Sequence, residues 1–353
     1  MKVLHVITGL GSGGAENMLF KLIASQQENE HLVVSINGKG AYYKKLVDVG
    51  VKVLVYEKKD YINPFSFVKL YSSVRQFAPE VVMSWMYHSF IFSLLLPKGK
   101  VNIWNVRHSL SDIKKDKYIT RMVIRICSLL SFIPDKVCFN SKNSLNLHHE
   151  YGFNRDNSEF IPNGFSVDKF PVFGYDNQTI KFVNFSRFHP VKGHERLVKS
   201  FERFIRLSGV DAELHLYGSG IHQGLTLLQS MPLQIRDRIF IHGHSECPEK
   251  VMFEHHVYIS SSFNEAFPNV IGEALLSGLY VIATDVGDSA EIISDPILGT
   301  TISSINFDNE IYDAMCTSLN YVNDNRMSKY RHENVANKYS IEKVSKNYSE
   351  IYK

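Results

Sequence analysis

Short apolar runs alternate with amphipathic segments along the first 160 residues of the chain. The runs that predict buried strands are 2–8, 31–36, 52–56, 80–84, 101–106 and 136–139. Segments with apolar residues at helical spacing lie near 40–49, 65–77, 88–96, 116–132 and 141–151. Because strands that alternate with helices at this spacing form parallel sheets, this half predicts a doubly wound α/β domain.

A turn at 161–164 (IPNG) and an aperiodic stretch over 166–178 precede a second alternation. Its predicted strands are 180–186, 212–217, 238–241, 256–260 and 280–283, and its predicted helices are 193–208, 222–230, 247–253 and the segment after Asn269. The C-terminal region predicts helix with one apolar face, formed by Tyr339, Ile341, Val344, Tyr348 and Ile351. The pattern therefore predicts a second doubly wound domain.

A glycine-rich loop, Gly9 to Gly14, follows the first predicted strand and precedes a helical pattern. Glycines in such a turn let the backbone approach a ligand closely. The full GxGxxG spacing is absent, because Glu16 stands where the last glycine would be. The loop therefore indicates the opening of a doubly wound domain but disfavours an NAD site.

The segment from Ser261 to Glu291 carries two carboxylates, Glu265 and Glu273, with Pro268 and Asn269 between them. We predict that Asn269 caps a helix, so that Glu265 lies in a loop and Glu273 lies just inside the helix. A carboxylate accepts two hydrogen bonds from a vicinal diol, and a helix N-terminus attracts phosphate. The segment therefore predicts a site for a sugar joined to a diphosphate.

Arg187 and Lys192 follow a predicted strand in a loop that opens a helix. This pair suits a pyrophosphate, since Arg can bridge two oxygens and Lys acts as a point charge; the alternative is ordinary surface charge. No DxD triplet occurs, and the histidine pairs lack a third ligand at metal spacing. We therefore expect no metal and no other cofactor.

Four polar residues, His88, Arg107, His108 and Ser141, each follow a predicted strand of the first half. Ligands of doubly wound sheets bind at the carboxyl ends of the strands. Any one of the four could be a loop residue with no role, but together they favour a shared cleft.

The net charge of +3 conceals an asymmetry between the two halves. Residues 1–165 carry 21 Lys and Arg against 13 Asp and Glu, whereas the remainder carries 18 against 23. Within the first half, residues 98–142 carry ten basic and three acidic side chains. This local excess indicates either an anionic partner or a solvated basic face.

The segment 113–133 could form a basic amphipathic helix. Its apolar stripe would comprise Ile113, Tyr118, Met122, Ile126, Leu129 and Leu130, and its basic residues are Lys114, Lys115, Lys117, Arg121 and Arg125. One interpretation places this helix on an anionic membrane surface, and the other places its apolar stripe in the core.

Three further features concern the compartment. No stretch of 18 apolar residues occurs, so we expect no transmembrane helix. The N-terminal apolar run reaches its glycines too soon for a secretory signal, and the four cysteines show no CxxC pairing. These features favour a cytoplasmic protein.

Several motifs, in their order and spacing, give the chain a family resemblance. They are GLGSGGAE, IPNGF, FSRFHPVKG, LHLYGSG, SSFNEAFPNVIGEALLSG and DVGDSAE. With these motifs the chain resembles the retaining GT-B glycosyltransferases of family 4. The resemblance implies two Rossmann-like domains facing a central cleft: an acceptor-binding domain over 1–165 and a donor-binding domain over 166–337. It also implies a C-terminal helix, about 338–353, that crosses back onto the first domain.

The resemblance implies a role for each matching residue. Glu273 would bind the donor ribose, and Glu265 would contact the donor sugar. Backbone amides of Ala266, Phe267 and Pro268, beside Asn269 at the helix start, would assist Glu265. Arg187 and Lys192 would bind the diphosphate, Gly13 and Gly14 would close over it, and His108 would lie near the transferred sugar and acceptor. Arg107 is unusual beside this histidine and could contact an acidic acceptor or its phosphate.

These roles predict a metal-independent retaining hexosyltransferase, with a UDP-sugar as the favoured donor. The expected acceptor is a lipid-linked glycan in surface polysaccharide synthesis, of O-antigen or capsule type, and no nucleic acid is expected. Residues 98–142 would hold the protein peripherally on the inner face of the cytoplasmic membrane. The alternatives are a nucleotide-sugar epimerase of the same fold and a nucleotide-sugar binding protein without turnover.

Overall fold

The computed structural model describes residues 1–111, 113–115, 117–170, 179–265, 267–322 and 324–353. The chain forms two compact units. Unit 1 contains Met1–Gly164 together with Ile341–Lys353, and unit 2 contains Phe165–Ser340. The boundaries expected from the sequence, 165/166 and about 338, lie within three residues of these divisions.

Unit 1 is built on a seven-stranded parallel sheet with the order β3-β2-β1-β4-β5-β6-β7. Its strands are β1 (Lys2–Ile7), β2 (Glu30–Ser35), β3 (Lys52–Val55), β4 (Val81–Trp85), β5 (Val101–Val106), β6 (Lys136–Phe139) and β7 (Ser158–Phe160). Its first six helices are α1 (Gly14–Ser25), α2 (Ala41–Asp48), α3 (Pro64–Phe77), α4 (Tyr87–Ser93), α5 (Tyr118–Leu130) and α6 (Lys142–Tyr151).

The central strand β1 shows why both faces of this sheet are covered. Val3 and Ile7 pack into one hydrophobic cluster, whereas Leu4 and Val6 pack into another. Successive side chains of a strand point to opposite faces, so a strand that is apolar throughout needs helices on both sides. The continuous apolar run at the start of the chain therefore becomes the middle of a three-layer unit.

Unit 2 repeats this plan with six parallel strands in the order β10-β9-β8-β11-β12-β13. Its strands are β8 (Ile180–Phe185), β9 (Ala212–Tyr217), β10 (Ile239–His242), β11 (Val257–Ser260), β12 (Tyr280–Thr284) and β13 (Gly299–Ile302). Its helices are α7 (His194–Ser208), α8 (Ile221–Gly224), α9 (Leu233–Arg236), α10 (Pro248–Met252), α11 (Asn269–Leu276), α12 (Ser289–Ile292), α13 (Phe307–Ser318) and α14 (Asn325–Tyr339). In both units the first strand lies between the second and fourth, which is where such sheets bind ligands.

The C-terminal region contains two helices, because α14 ends at Tyr339 and α15 (Ile341–Glu350) begins after Ser340. Tyr339 packs in a core cluster of unit 2, whereas Ile341, Val344 and Tyr348 pack in a core cluster of unit 1. The prediction of one continuous apolar face was therefore wrong. The extended backbone at Ser340 (φ −59°, ψ 148°) ends α14 and divides the face.

Helix α5 buries the face opposite to the apolar stripe described in the sequence. Its buried residues are Ile124, Cys127 and Ser128. The predicted stripe is largely exposed, with relative exposures of 69% at Tyr118, 49% at Met122, 43% at Ile126 and 61% at Leu129. A core stripe is therefore excluded for these four residues. Within the described residues, no helix has the length and hydrophobicity to span a membrane.

Candidate active site

In unit 2, the loop after β8 is fixed against the end of β11 by a glycine. Gly193 has φ +66°, and a Cβ placed there would lie 2.2 Å from the carbonyl oxygen of Ser261. A side chain is excluded by both the conformation and the space. The Ser261 hydroxyl donates a 2.8 Å hydrogen bond to the Lys192 carbonyl. The close approach therefore brings the Lys192 loop beside the segment that carries Glu265.

Lys192 and Glu265, which are 73 residues apart, form an ion pair between Nζ and Oε1. The Ser262 hydroxyl donates a 2.8 Å hydrogen bond to the same carboxylate oxygen. The two charged side chains are 22% and 20% exposed, so the pair is only partly screened by water. The structure thus joins the residue predicted for the diphosphate to the residue predicted for the donor sugar.

Arg196, in the first turn of α7, holds this corner together and was not identified from the sequence. Its guanidinium donates to the carbonyl oxygens of Ser261, Ser262 and Ser304 over 2.6–3.0 Å. It also stacks on the ring of Phe263, with 3.7 Å from Cζ to the ring centroid. Burial lowers the pKa of Arg196 to about 10, which leaves it charged near neutrality. Arg196 follows Gly193 by three residues, at the start of the helix that the cationic loop opens, and this position could have identified it from the sequence.

Glu273 lines a cavity of about 210 Å³ in unit 2 together with Arg187. Other lining residues follow three neighbouring strands: Ser186 after β8, Gly218 after β9 and His244 after β10. Gly218 has φ +156°, and a Cβ there would lie 2.0 Å from the Ser186 carbonyl oxygen. Arg187 is exposed. The carboxylate and guanidinium predicted for ribose and diphosphate are thus walls of the same cavity.

An aromatic stack lies beside this cavity and was also not identified as part of the site. Tyr217, which lines the cavity, stacks on Phe185 at 4.8 Å and on His242 at 4.1 Å between ring centroids. Such a rigid stack gives the cavity a flat apolar side.

The buried phenol of Tyr258 is influenced by the charges of both glutamates. Burial raises its pKa, and the charges of Glu265 and Glu273 raise it further. Its side chain is 4% exposed on strand β11. Both carboxylates therefore act on one buried group, which places them in one neighbourhood.

The start of α11 differs from the prediction. Pro268 occupies the N-cap position, and Asn269 is the first helical residue, so the prediction that Asn269 is the cap was wrong. Proline has no N–H, so Pro268 also cannot supply the backbone amide expected of it. The Phe267 ring is buried against Phe165 and Tyr339, and Ala266 lies outside the described residues. Among the described residues of this segment, backbone groups of Phe267 and the first turn of α11 are the candidate donors.

In unit 1, the glycine loop opens α1. Gly13 is the N-cap and Gly14 the first helical residue. A Cβ on Gly13 would lie 2.5 Å from a carboxylate oxygen of Glu16. The loop thus combines a helix N-terminus, which favours an anion, with a carboxylate that opposes one.

His108, after β5, is oriented through two neighbouring side chains. The Tyr87 hydroxyl lies 2.7 Å from His148 Nε2 and 3.5 Å from His108 Nδ1, and the Ser144 hydroxyl donates a 2.7 Å hydrogen bond to the His108 carbonyl. Burial lowers the pKa of His148 to about 3, so this ring is neutral. Its Nδ1 lies 2.6 Å from the Ser144 carbonyl oxygen, which can only accept. His148 Nε2 therefore accepts from Tyr87, which places the Tyr87 oxygen beside His108 Nδ1 as a hydrogen-bond acceptor.

Other residues at this edge have structural partners. Arg107 donates to Asn105, Asn163 and Tyr348 within unit 1. These contacts join β5 to α15, and the expectation that Arg107 contacts an acidic acceptor or its phosphate stays a prediction. Ser141 caps α6 and accepts a 3.0 Å hydrogen bond from the Ser144 amide.

Metal ligation has no candidate in the part of the chain that the structure describes, where no three His, Cys, Asp or Glu side chains are grouped for it. Metal independence remains a prediction.

Two family models match the chain. One, described as Glycosyltransferase Family 4, matches residues 12–169, and the other, described as Glycosyl transferases group 1, matches residues 179–320. An uncharacterized glycosyltransferase of Methanocaldococcus jannaschii is 21% identical over 263 residues, which cover 66% of this chain and 64% of the relative.

A relative with a defined reaction is the N-acetylgalactosamine-N,N'-diacetylbacillosaminyl-diphospho-undecaprenol 4-alpha-N-acetylgalactosaminyltransferase of Campylobacter jejuni. It is 23% identical over 199 residues, which cover 55% of this chain and 53% of the relative. The chain therefore spans less than two thirds of the length of either relative.

Among solved structures, Alr3699/HepE of Anabaena in complex with UDP matches with a TM-score of 0.82, 16% identity and 99% coverage of both chains. The same Anabaena protein has also been crystallised with UDP-glucose. At this identity the likeness shows the fold. The prediction of two doubly wound α/β domains is confirmed by this likeness and by the two parallel sheets.

Proposed function

Because the chain belongs to the glycosyltransferases of group 1 and family 4, we propose that it transfers a hexose from a UDP-sugar to a lipid-linked glycan. The reaction would retain the anomeric configuration and would contribute to a surface polysaccharide of O-antigen or capsule type. The UDP complex of the Anabaena protein supports the donor. The diphospho-undecaprenol in the name of the Campylobacter enzyme supports the acceptor class.

The observation that carries the proposal is the cavity shared by Glu273 and Arg187. In the proposed complex, Glu273 accepts hydrogen bonds from both ribose hydroxyls, which requires an ionised carboxylate. Arg187 bridges two diphosphate oxygens, because its planar donors match that geometry. A nucleoside diphosphate carries a diol on its ribose and an anion on its diphosphate. These two groups match the carboxylate of Glu273 and the guanidinium of Arg187 in this cavity.

Lys192 and Glu265 would exchange partners when the donor binds. The diphosphate offers Lys192 a second anion, and the sugar hydroxyls offer Glu265 hydrogen-bond donors. Lys192 and Arg187 then neutralise the charge that develops on the departing diphosphate, which is electrostatic catalysis without a metal. The existing ion pair keeps both side chains in position before the donor arrives.

In unit 1, His108 would accept a hydrogen bond from a sugar hydroxyl through Nε2. A donor phosphate oxygen would take the acceptor proton, so no side-chain base is required on the attacking face. The glycine loop at Gly13 and Gly14 would bind the diphosphate through its backbone, provided that the Glu16 carboxylate moves away from Gly13.

The exposed apolar and basic residues of α5 support a peripheral position on the cytoplasmic face of the membrane. Residues 117–134 carry three basic and no acidic side chains. A helix with exposed apolar residues and this charge matches the requirements of an anionic membrane surface. A lipid-linked acceptor would be reached from that surface.

The test is incubation of the full chain with UDP- and GDP-sugars and a lipid-linked acceptor, with the product anomer assigned by NMR. We expect transfer from one UDP-sugar with retention, and loss of transfer in Glu273→Gln. Inversion, or unchanged activity in Glu273→Gln, would contradict the proposal. Interconversion of a UDP-sugar without acceptor would identify an epimerase, and tight UDP binding without any reaction would identify a binding protein.

A further inference from the structure

Unit 1 contains a cavity of about 790 Å³ that the proposed reaction does not use. Its floor lies at the ends of three adjacent strands: Thr8 follows β1, Asn37 lies after β2, and Tyr56 follows β3. Its walls come from α3, α4 and α5. A volume of this size is typical of sites for small organic ligands.

The lining of this cavity is mainly hydrocarbon. Ten of its residues are apolar or aromatic: Ile36, Tyr56, Tyr61, Pro64, Phe67, Ile91, Phe92, Leu95, Val123 and Ile126. The rings of Tyr56, Phe67 and Phe92 pack with centroids 5.4–6.4 Å apart and form a preformed wall. The two nearby hydroxyls already donate, Tyr56 to the Asp60 carbonyl and Tyr61 to the Ile36 carbonyl. A ligand would therefore bind here by burying apolar surface.

Exposed apolar side chains surround the cavity on two sides. On α3 and the segment before it, Ile62, Phe65 and Val68 have exposures of 89%, 81% and 62%. On α5, Ile119 and Leu129 have exposures of 70% and 61%. Soluble proteins rarely expose so much contiguous apolar surface unless it contacts a membrane or a partner. Ile126 both lines the cavity and is 43% exposed, so it links the cavity to the face of α5 proposed to contact the bilayer.

We infer that this cavity binds the hydrocarbon chain of the membrane-borne acceptor. The inference rests on the proposed lipid-linked acceptor and names the position of its chain. Two observations favour a phosphate-linked lipid over a neutral apolar molecule. The cavity has polar residues, Asn37 and His88, at the strand ends, where a head group can be bound beyond the apolar wall. Residues 117–134 carry three basic and no acidic side chains; these basic side chains do not line the cavity, but they favour an anionic lipid at the surface on which α5 would lie. An amphiphile with an anionic head group matches both features.

The test compares two soluble isoprenoid phosphates by isothermal titration calorimetry on the full chain. Farnesyl phosphate carries the chain, and isopentenyl phosphate has a similar head group with little chain. We expect farnesyl phosphate to bind at least about tenfold more tightly, because each buried methylene adds about 0.8 kcal/mol. Its heat capacity change should be the more negative, as apolar burial requires. Equal affinities would overturn the inference.

Two variants of α5 locate the binding. Val123→Trp fills the cavity, and Met122→Trp adds the same ring at a neighbouring position that does not line it. We expect Val123→Trp to weaken farnesyl phosphate binding by about tenfold or more and Met122→Trp to leave it unchanged. Ile126→Trp, at a lining position that is 43% exposed, repeats the test if Val123→Trp unfolds. Equal effects of the cavity and control variants on farnesyl phosphate binding would refute the inference. Dihexanoyl phosphatidylglycerol that binds as tightly as farnesyl phosphate would also refute it, because the site would then bind bulk membrane lipid.

Failure of the proposed function gives a different result, because binding is measured without sugar transfer. Farnesyl phosphate binding that Val123→Trp abolishes, in a protein that transfers no sugar, would retain the cavity and reject the reaction. Transfer at a rate independent of acceptor chain length, with no effect of Val123→Trp, would retain the reaction and reject the cavity.

Discussion

At the residue scale, the two glutamates differ in what they already contact. Glu265 is paired with Lys192, whereas Glu273 lines the cavity that contains Arg187. We therefore expect Glu273→Gln to weaken UDP binding by about tenfold or more, since a hydrogen bond to a charged group contributes about 1.5–3 kcal/mol. Glu265→Gln should leave UDP affinity within about threefold of wild type and lower the rate of transfer. Calorimetry with UDP and a transfer assay separate the two effects, and identical losses of UDP affinity would contradict this division.

Arg196 shows how a half-buried side chain that holds loops together can control the site. It binds three carbonyl groups of the loops around Glu265, so Arg196→Met should leave those acceptors unsatisfied. We expect a loss of about 2–4 kcal/mol in the free energy of unfolding, and a loss of transfer in the protein that remains folded. Arg206→Met, in the same helix, removes an exposed pair with Glu202 and should cost less than about 0.5 kcal/mol. Urea unfolding of the two variants checks this, and equal losses would show that Arg196 has no special role.

At the element scale, α5 has exposed apolar residues that a membrane surface could cover. Leu129→Gln should reduce sedimentation with anionic vesicles by about tenfold, because burial of one leucine contributes about 1.5–3 kcal/mol. Leu207→Gln is the matched control, since both leucines are 61% exposed and Leu207 lies on α7 of unit 2. Equal sedimentation of both variants with anionic vesicles, or equal binding of wild type to neutral and anionic vesicles, would count against the proposed face.

The elements also show how far sequence reasoning extends. β1 is predictable because a long apolar run ends at glycines, whereas β13, with four residues and two threonines, pairs only at the sheet edge and was missed. The face of α5 could not be chosen from periodicity, because both the exposed stripe and the buried face around Ile124 contain apolar residues. The sequence located Glu265 and Lys192 separately, but their contact depends on loop packing that local patterns do not encode.

At the scale of the whole molecule, the two units each contain histidines that must remain neutral. Burial lowers the pKa of His148 and of His255 to about 3, and that of His256 to about 4. His148 belongs to unit 1, and the other two belong to unit 2. In the unfolded chain a histidine titrates near 6.5, so protons bind preferentially to the unfolded state as the pH falls below this value. The stabilisation is complete above pH 6.5 and is lost progressively toward pH 3–4.

Because both tryptophans, Trp85 and Trp104, lie in unit 1, their fluorescence reports the unfolding of that unit alone. At pH 5.5, His148 should lower the stability of unit 1 by about 1.4 kcal/mol relative to pH 7.5. In urea titrations followed by fluorescence, His148→Gln should remove about this much of the pH dependence, even though the variant is less stable at both pH values. His255→Gln should leave the fluorescence transition unchanged and reduce the pH dependence seen by far-UV circular dichroism. If His255→Gln shifts the fluorescence transition as strongly as His148→Gln, the two units unfold as one cooperative body.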